Sequence, residues 1–120
     1  MYAVIFEVEP MPCRAEEYLT MARALRPELE AIDGFISVER FASVTNDGKY
    51  VSLSFWRTEE AVQRWRVHAG HQLAQAHGRD AIFRDYRIRV AHVDRDYSLA
   101  DREEAPSRER PQWGEAFRFE

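Results

Sequence analysis

Apolar and polar positions along this chain change period from one segment to the next, and each change predicts a new element. Tyr2–Val8 is rich in β-branched and aromatic side chains, which predicts a strand, and Pro10-Met11-Pro12 stops it. From Arg14 the spacing changes. Tyr18, Met21, Ala22, Leu25, Leu29 and Ile32 recur three and four residues apart with Glu and Arg between them, one apolar stripe of an amphipathic helix. Pro27 falls inside the stripe and lacks the N–H for a bond back to residue 23, so a kink or a restart there is expected. Asp33-Gly34 ends the element, with Gly34 suited to a left-handed conformation.

Phe35–Phe41 and Tyr50–Trp56 read as two strands, and Asn46-Asp47-Gly48 between them tolerates the turn of a hairpin. Thr58 is a candidate N-cap, with Glu59 and Glu60 at the positive end of the next helix. Ala61, Val62, Trp65, Ala69, Leu73 and Ala76 form its stripe; Gly70 permits a bend and Gly78 closes it. Ile82–Tyr97 is a long last strand, with Tyr86, Ile88 and Val90 on one face and Arg87 and Arg89 on the other. The order strand, helix, strand, strand, helix, strand predicts a ferredoxin-like α+β domain over residues 1–97, its sheet four-stranded and antiparallel.

One face of that sheet needs a cover. Val51, Leu53 and Phe55 point one way while Tyr50, Ser52, Ser54 and Trp56 point the other, so both faces carry aromatics. Residues 98–120 are charged, contain proline and have no usable period. With Trp113, Phe117 and Phe119 at their end they are expected to form an extended arm docking on the domain or a partner subunit, plain disorder being the alternative.

Composition narrows the partners. A net charge of −4 with acidic and basic residues interspersed leaves no basic block for a row of phosphates, which argues against nucleic acid. No apolar run reaches the roughly 20 residues of a membrane span, and the N-terminus lacks the marks of a signal peptide. Cys13 stands alone, so an intramolecular disulfide is impossible and a cytoplasmic location is expected. There is no Gly-rich phosphate loop, GxSxG or HExxH, which sets aside nucleotide cofactors and hydrolase triads.

The segments GFISVERF (34–41), YVSLSFW (50–56), TEEAVQRW, HAGHQLAQAHGR and IFRDYRIRVAHVDRDY (82–97) resemble the antibiotic biosynthesis monooxygenase family of the dimeric α+β barrel superfamily. The resemblance implies that two subunits pair their sheets face to face into a shared barrel. Such a homodimer would cover the second face noted above. It further implies cofactor-independent oxidation of a small aromatic molecule of quinol or anthrone type.

Trp65 and Trp56 are the candidate walls for such a ligand, since an indole offers a flat surface and one N–H; the alternative makes both core anchors. In haem-degrading or polyphenol-oxidising relatives a Trp on or near the second helix sits at the cleft, and Trp65 matches it. His68, His71 and His77 lie on or at the end of the same helix, His68 and His71 sharing a face. Imidazole exchanges protons near neutrality, so His71, then His68, is the candidate base; otherwise they are surface histidines. Arg89 is a candidate for holding an oxyanion and Tyr86 for touching the substrate; Arg40, Arg87 and Arg89 could each hold a carboxylate or phenolate, although strand arginines more often pair with acids such as Glu39 or Asp85 at the barrel rim.

Metal is disfavoured, because two helix histidines supply half a tetrahedral site with only His92 to join them. Haem is disfavoured too. The haem-degrading relatives carry an Asn on the first strand, where this chain has Phe6 and Glu7. Three readings remain: a monooxygenase, a non-catalytic small-molecule-binding or stress-related module, and haem binding or degradation.

Overall fold

The elements follow the expected order in the computed structural model, which describes residues 1–75 and 82–106. They are β1 (Tyr2–Pro10), α1 (Ala15–Glu30), β2 (Phe35–Ala42), β3 (Tyr50–Trp56), α2 (Glu59–Gln75) and β4 (Phe83–His92). The strands form one antiparallel sheet in the order β2-β3-β1-β4, the ferredoxin-like arrangement. Ala76, His77 and Gly78, and the arm aromatics Trp113, Phe117 and Phe119, lie outside the described residues.

Register decides which residues face the helices. In β1 the even positions Val4 and Val8 are fully buried, and in β3 the inward positions are Tyr50, Ser52, Ser54 and Trp56. Opposite them, Ala3, Ile5, Val51, Leu53 and Phe55 share the outer face, paired as Ala3 with Phe55 and Ile5 with Leu53. α1 continues through Pro27 to Glu30 instead of restarting. The proline is exposed and stands in the last turn, so the carbonyl of Arg23 loses its helical partner where water can replace it. α2 likewise passes unbroken through Gly70, and its start is capped as expected: the Ala61 amide donates to Thr58 Oγ1 at 3.1 Å.

The last strand is shorter than its sequence pattern. β4 sits at the sheet edge with β1 as its one neighbour, and β1 begins at Tyr2, opposite His92. The Val93 amide still reaches the Met1 carbonyl at 3.0 Å; beyond that Asp94–Tyr97 have no strand to pair with, however strand-like their composition. Residues 98–106 add neither helix nor strand and fold back locally, Glu104 accepting from the Asp96 amide at 3.0 Å.

Gly34 joins α1 to β2 at φ +97°, and a Cβ there would stand 2.5 Å from the Cβ of fully buried Ala61. Both the backbone and the space demand glycine. Gly34→Ala is expected to cost about 2–4 kcal/mol, from left-handed strain and overpacking together. A lowered urea midpoint at unchanged slope would show it. An unchanged midpoint would mean that α2 yields at Ala61.

Candidate functional site

Among the described residues the core falls into two clusters, and side chains of both line a cavity. One gathers Val4, Trp56, Ala61, Val62 and Trp65; the other gathers Val8, Tyr18, Ile82 and Phe83. The cause is legible in β3, whose inward row sets two small hydroxyls, Ser52 and Ser54, between the large rings of Tyr50 and Trp56. Ser54 is used locally, accepting the Trp56 indole N–H at 2.9 Å. Ser52 is left on the floor of a cavity of about 80 Å³. Met21, Leu25 and Leu29 of α1, Trp65 and Leu73 of α2, and Phe6 and Phe83 of the strands supply apolar walls.

Four polar side chains break those walls: Tyr18, Arg40, His68 and Gln72, with Ser52 below. Arg40 reaches inward from β2, donating through Nε to Tyr18 Oη at 3.0 Å and through Nη2 to Ser52 Oγ at 3.5 Å. Burial pushes the Tyr18 phenol above its ordinary range, and the Arg40 guanidinium partly offsets this, so the phenol is neutral and keeps its proton at neutral pH. His68 comes from α2. Its Nε2 is buried with no hydrogen-bond partner among the described residues. A buried polar atom without a partner is costly, and at the wall of a cavity it marks where a ligand atom would be accommodated.

The structure brings together some of the residues singled out from sequence and separates others. Trp65 is 7% exposed and serves twice, as a core member and as cavity wall. Trp56 is fully buried, packed edge-on against Phe35 at 5.4 Å, and lines no cavity described here. His71 is exposed, on the solvent side of α2, and does not line the cavity that His68 lines. Tyr86 lies outside the cavity, against Phe6 and Phe83, bordering a shallow groove between α2 and β4 whose other wall is Trp65. Arg89 is on the outer face of the sheet, paired with Glu7, which also holds Lys49 at 2.9 Å; the Lys49 hydrogen bond, with Arg89 adding to it, keeps the Glu7 carboxyl below its ordinary range.

Sequence reasoning did not place Tyr18, Ser52 or Phe6 at a site; for Arg40 it left open holding an anion or pairing with an acid such as Glu39, and no ion pair of Arg40 forms among the described residues. The available signal was the register of β2, where buried Val38 and then Arg40 occupy successive inward positions. A charged residue on the core side of a strand is rare without a reason. Among the described residues no group of three His, Cys, Asp or Glu stands close enough to hold a metal ion. A porphyrin is larger than a cavity of about 80 Å³, and Phe6 adds an apolar ring to its wall.

Apolar walls, a few convergent polar groups and a place between two helices and a sheet are the form of a small-molecule site. The chain belongs to the antibiotic biosynthesis monooxygenase family, whose sequence model matches residues 1–77. It is 50% identical over 93 residues to the jasmonate monooxygenase ABM of Pyricularia oryzae, covering 78% of this chain and 43% of that protein. The chain thus spans less than half the length of that relative. Rv0793 of Mycobacterium tuberculosis has the same fold at TM-score 0.66 and 21% identity, over 81% of this chain and 98% of its own. So does the haem degrader MhuD of M. tuberculosis, with two haems bound, at TM-score 0.64 and 16% identity over 82% and 100% of the chains. At those identities the likeness concerns the fold alone. Among the described residues no helix is long and apolar enough to cross a membrane.

Proposed function

We propose that the protein is a cofactor-independent monooxygenase acting on a small, mostly apolar molecule bound in the cavity between α1, α2 and the sheet. The observation that carries this reading is His68, whose buried Nε2, without a partner among the described residues, stands at an apolar wall with an arginine on the same cavity. On a substrate with an activated CH₂, as in an anthrone, His68 takes one proton and the carbanion adds to dioxygen. A C–O bond forms, the proton returns to the peroxide, and loss of water leaves a ketone. Substrate and O₂ become product and H₂O with no outside reductant. The apolar walls keep bulk water from the anion, and Trp65 supplies a flat face. At about 80 Å³ the cavity is below the roughly 300–1,000 Å³ of filled ligand pockets. A ring-sized substrate therefore enters with movement of flexible wall side chains such as Met21 and Gln72.

Oxygen uptake by purified, metal-free protein over anthrones, hydroquinones and jasmonic acid, against a boiled control, tests the reading. Saturable uptake is expected. No uptake across the panel would make the protein a binding module.

The outer sheet face supports a homodimer as the working form. Ile5, Val51, Leu53 and Phe55 are contiguous there and only half-covered, a large apolar patch for a single subunit to leave in water. Leu53→Asp places a charge at the centre of the patch and is expected to turn a particle of twice the chain mass into one of the chain mass in light scattering. Wild-type protein scattering as a single chain would reject the dimer.

A further inference from the structure

We propose that Arg40, Tyr18 and Ser52 form an anion subsite in the cavity, so that the molecule bound there is a small apolar acid held by its carboxylate. This deepens the reading above: it rests on the cavity being the ligand site but does not depend on turnover.

Arg40 is a cation with no carboxylate partner among the described residues. The other arginines with close carboxylate partners lie at the surface: Arg14 with Glu17, Arg26 with Glu30, Arg95 with Asp94, and Arg89 with Glu7 on the outer sheet face. Arg40 has no ion pair among the described residues. Its neighbour Glu39 alternates to the other face, opposite Leu53. The guanidinium is half-buried and meets two neutral hydroxyls, through Nε and Nη2, while Nη1 has no hydrogen-bond partner among the described residues. A guanidinium that meets only neutral hydroxyls keeps its charge and a free N–H for a carboxylate.

The hydroxyls suit an anion as well. Tyr18 Oη accepts from Arg40 and, being neutral, retains its own proton to donate. A carboxylate against Arg40 Nη1 would receive charge-assisted hydrogen bonds from the fork and one from the phenol. Apart from His68 and Gln72 the remaining walls, Leu25, Leu29 and Trp65 among them, suit an apolar body. Together they select a compact hydrophobic acid over its neutral ester.

The test is calorimetric titration at pH 7 with 1-naphthoic acid and cyclohexylacetic acid, each beside its methyl ester. Wild-type protein is expected to bind the acids about 10- to 100-fold more tightly than the esters, the range given by charged hydrogen bonds. Arg40→Gln abolishes that preference, weakening the acids far more than the esters; Arg40→Lys, which keeps the charge, retains part of it. If Arg40→Gln fails to fold by circular dichroism, Tyr18→Phe provides the same test, with acid affinity falling several-fold more than ester affinity. Equal binding of acid and ester by the wild type, no acid binding at all, or a preference that survives Arg40→Gln overturns the proposal. Absence of oxygen uptake would leave an acid preference standing, and loss of the preference would leave uptake standing, so the two readings fail separately.

Discussion

His68→Ala is expected to lower turnover about 10²- to 10⁴-fold with any substrate that supports oxygen uptake, while His71→Ala stays within a few-fold of wild type. The two histidines sit three residues apart on α2, separated by about 60° around its axis. That rotation suffices to put one on the cavity wall and the other in water: His68 lines the cavity with its Nε2 buried, and His71 is exposed. A proton taken in the cavity cannot go to an exposed side chain that does not line it. If His68 acts only as packing, alanine there lowers stability and leaves the rate per folded molecule intact. If it is the base, kcat and kcat/KM fall together while the urea midpoint shifts little. Full activity in His68→Ala with loss in His71→Ala would move the chemistry out of this cavity altogether.

Trp56→Ala is expected to destabilise the fold by about 3–5 kcal/mol, the range for truncating a large buried ring. Against a typical total of about 5–15 kcal/mol, much of the folded population would be at risk. Trp56 is fully buried, closes one core cluster against Phe35 and Val62, and donates its indole N–H to Ser54, itself 3% exposed. The variant therefore loses packing and leaves a buried hydroxyl without its donor. Urea denaturation followed by far-UV circular dichroism gives the size of the effect. An unshifted midpoint together with lost ligand binding would instead make Trp56 a wall of the site, the role first considered for it from sequence.

The two tryptophans show how far sequence could go. Both lie on inward stripes, and nothing in periodicity separates the one that meets a cavity from the one that meets only its neighbours. That depends on which side chains from α1 come to rest over each of them. The same limit explains the histidines. A three-residue spacing says that His68 and His71 share a broad helix face, but the line between wall and water crosses that face, and only the docking of α2 on the sheet draws it. Arg89 and Arg40 are the reverse case. Once the strands are known, strict alternation assigns Arg89 to the outer face with Glu7 and Arg40 to the inner one with Val38. The information was local, but its meaning required knowing which face the helices cover.

The sequence by itself determined the element order, the hairpin, the capped start of α2, the glycine at φ +97° and the apolar character of both sheet faces. Each of these is set by steric and solvation preferences of residues near one another in the chain. Tertiary structure alone decided where β4 stops, because its ladder ends with its neighbour β1. It alone decided that Tyr18 and Arg40, 22 positions apart, meet at 3.0 Å beside His68. A site of that kind is made by the packing of α1, α2 and the sheet into one volume, and no period along the chain encodes the distance between elements that touch only after they fold.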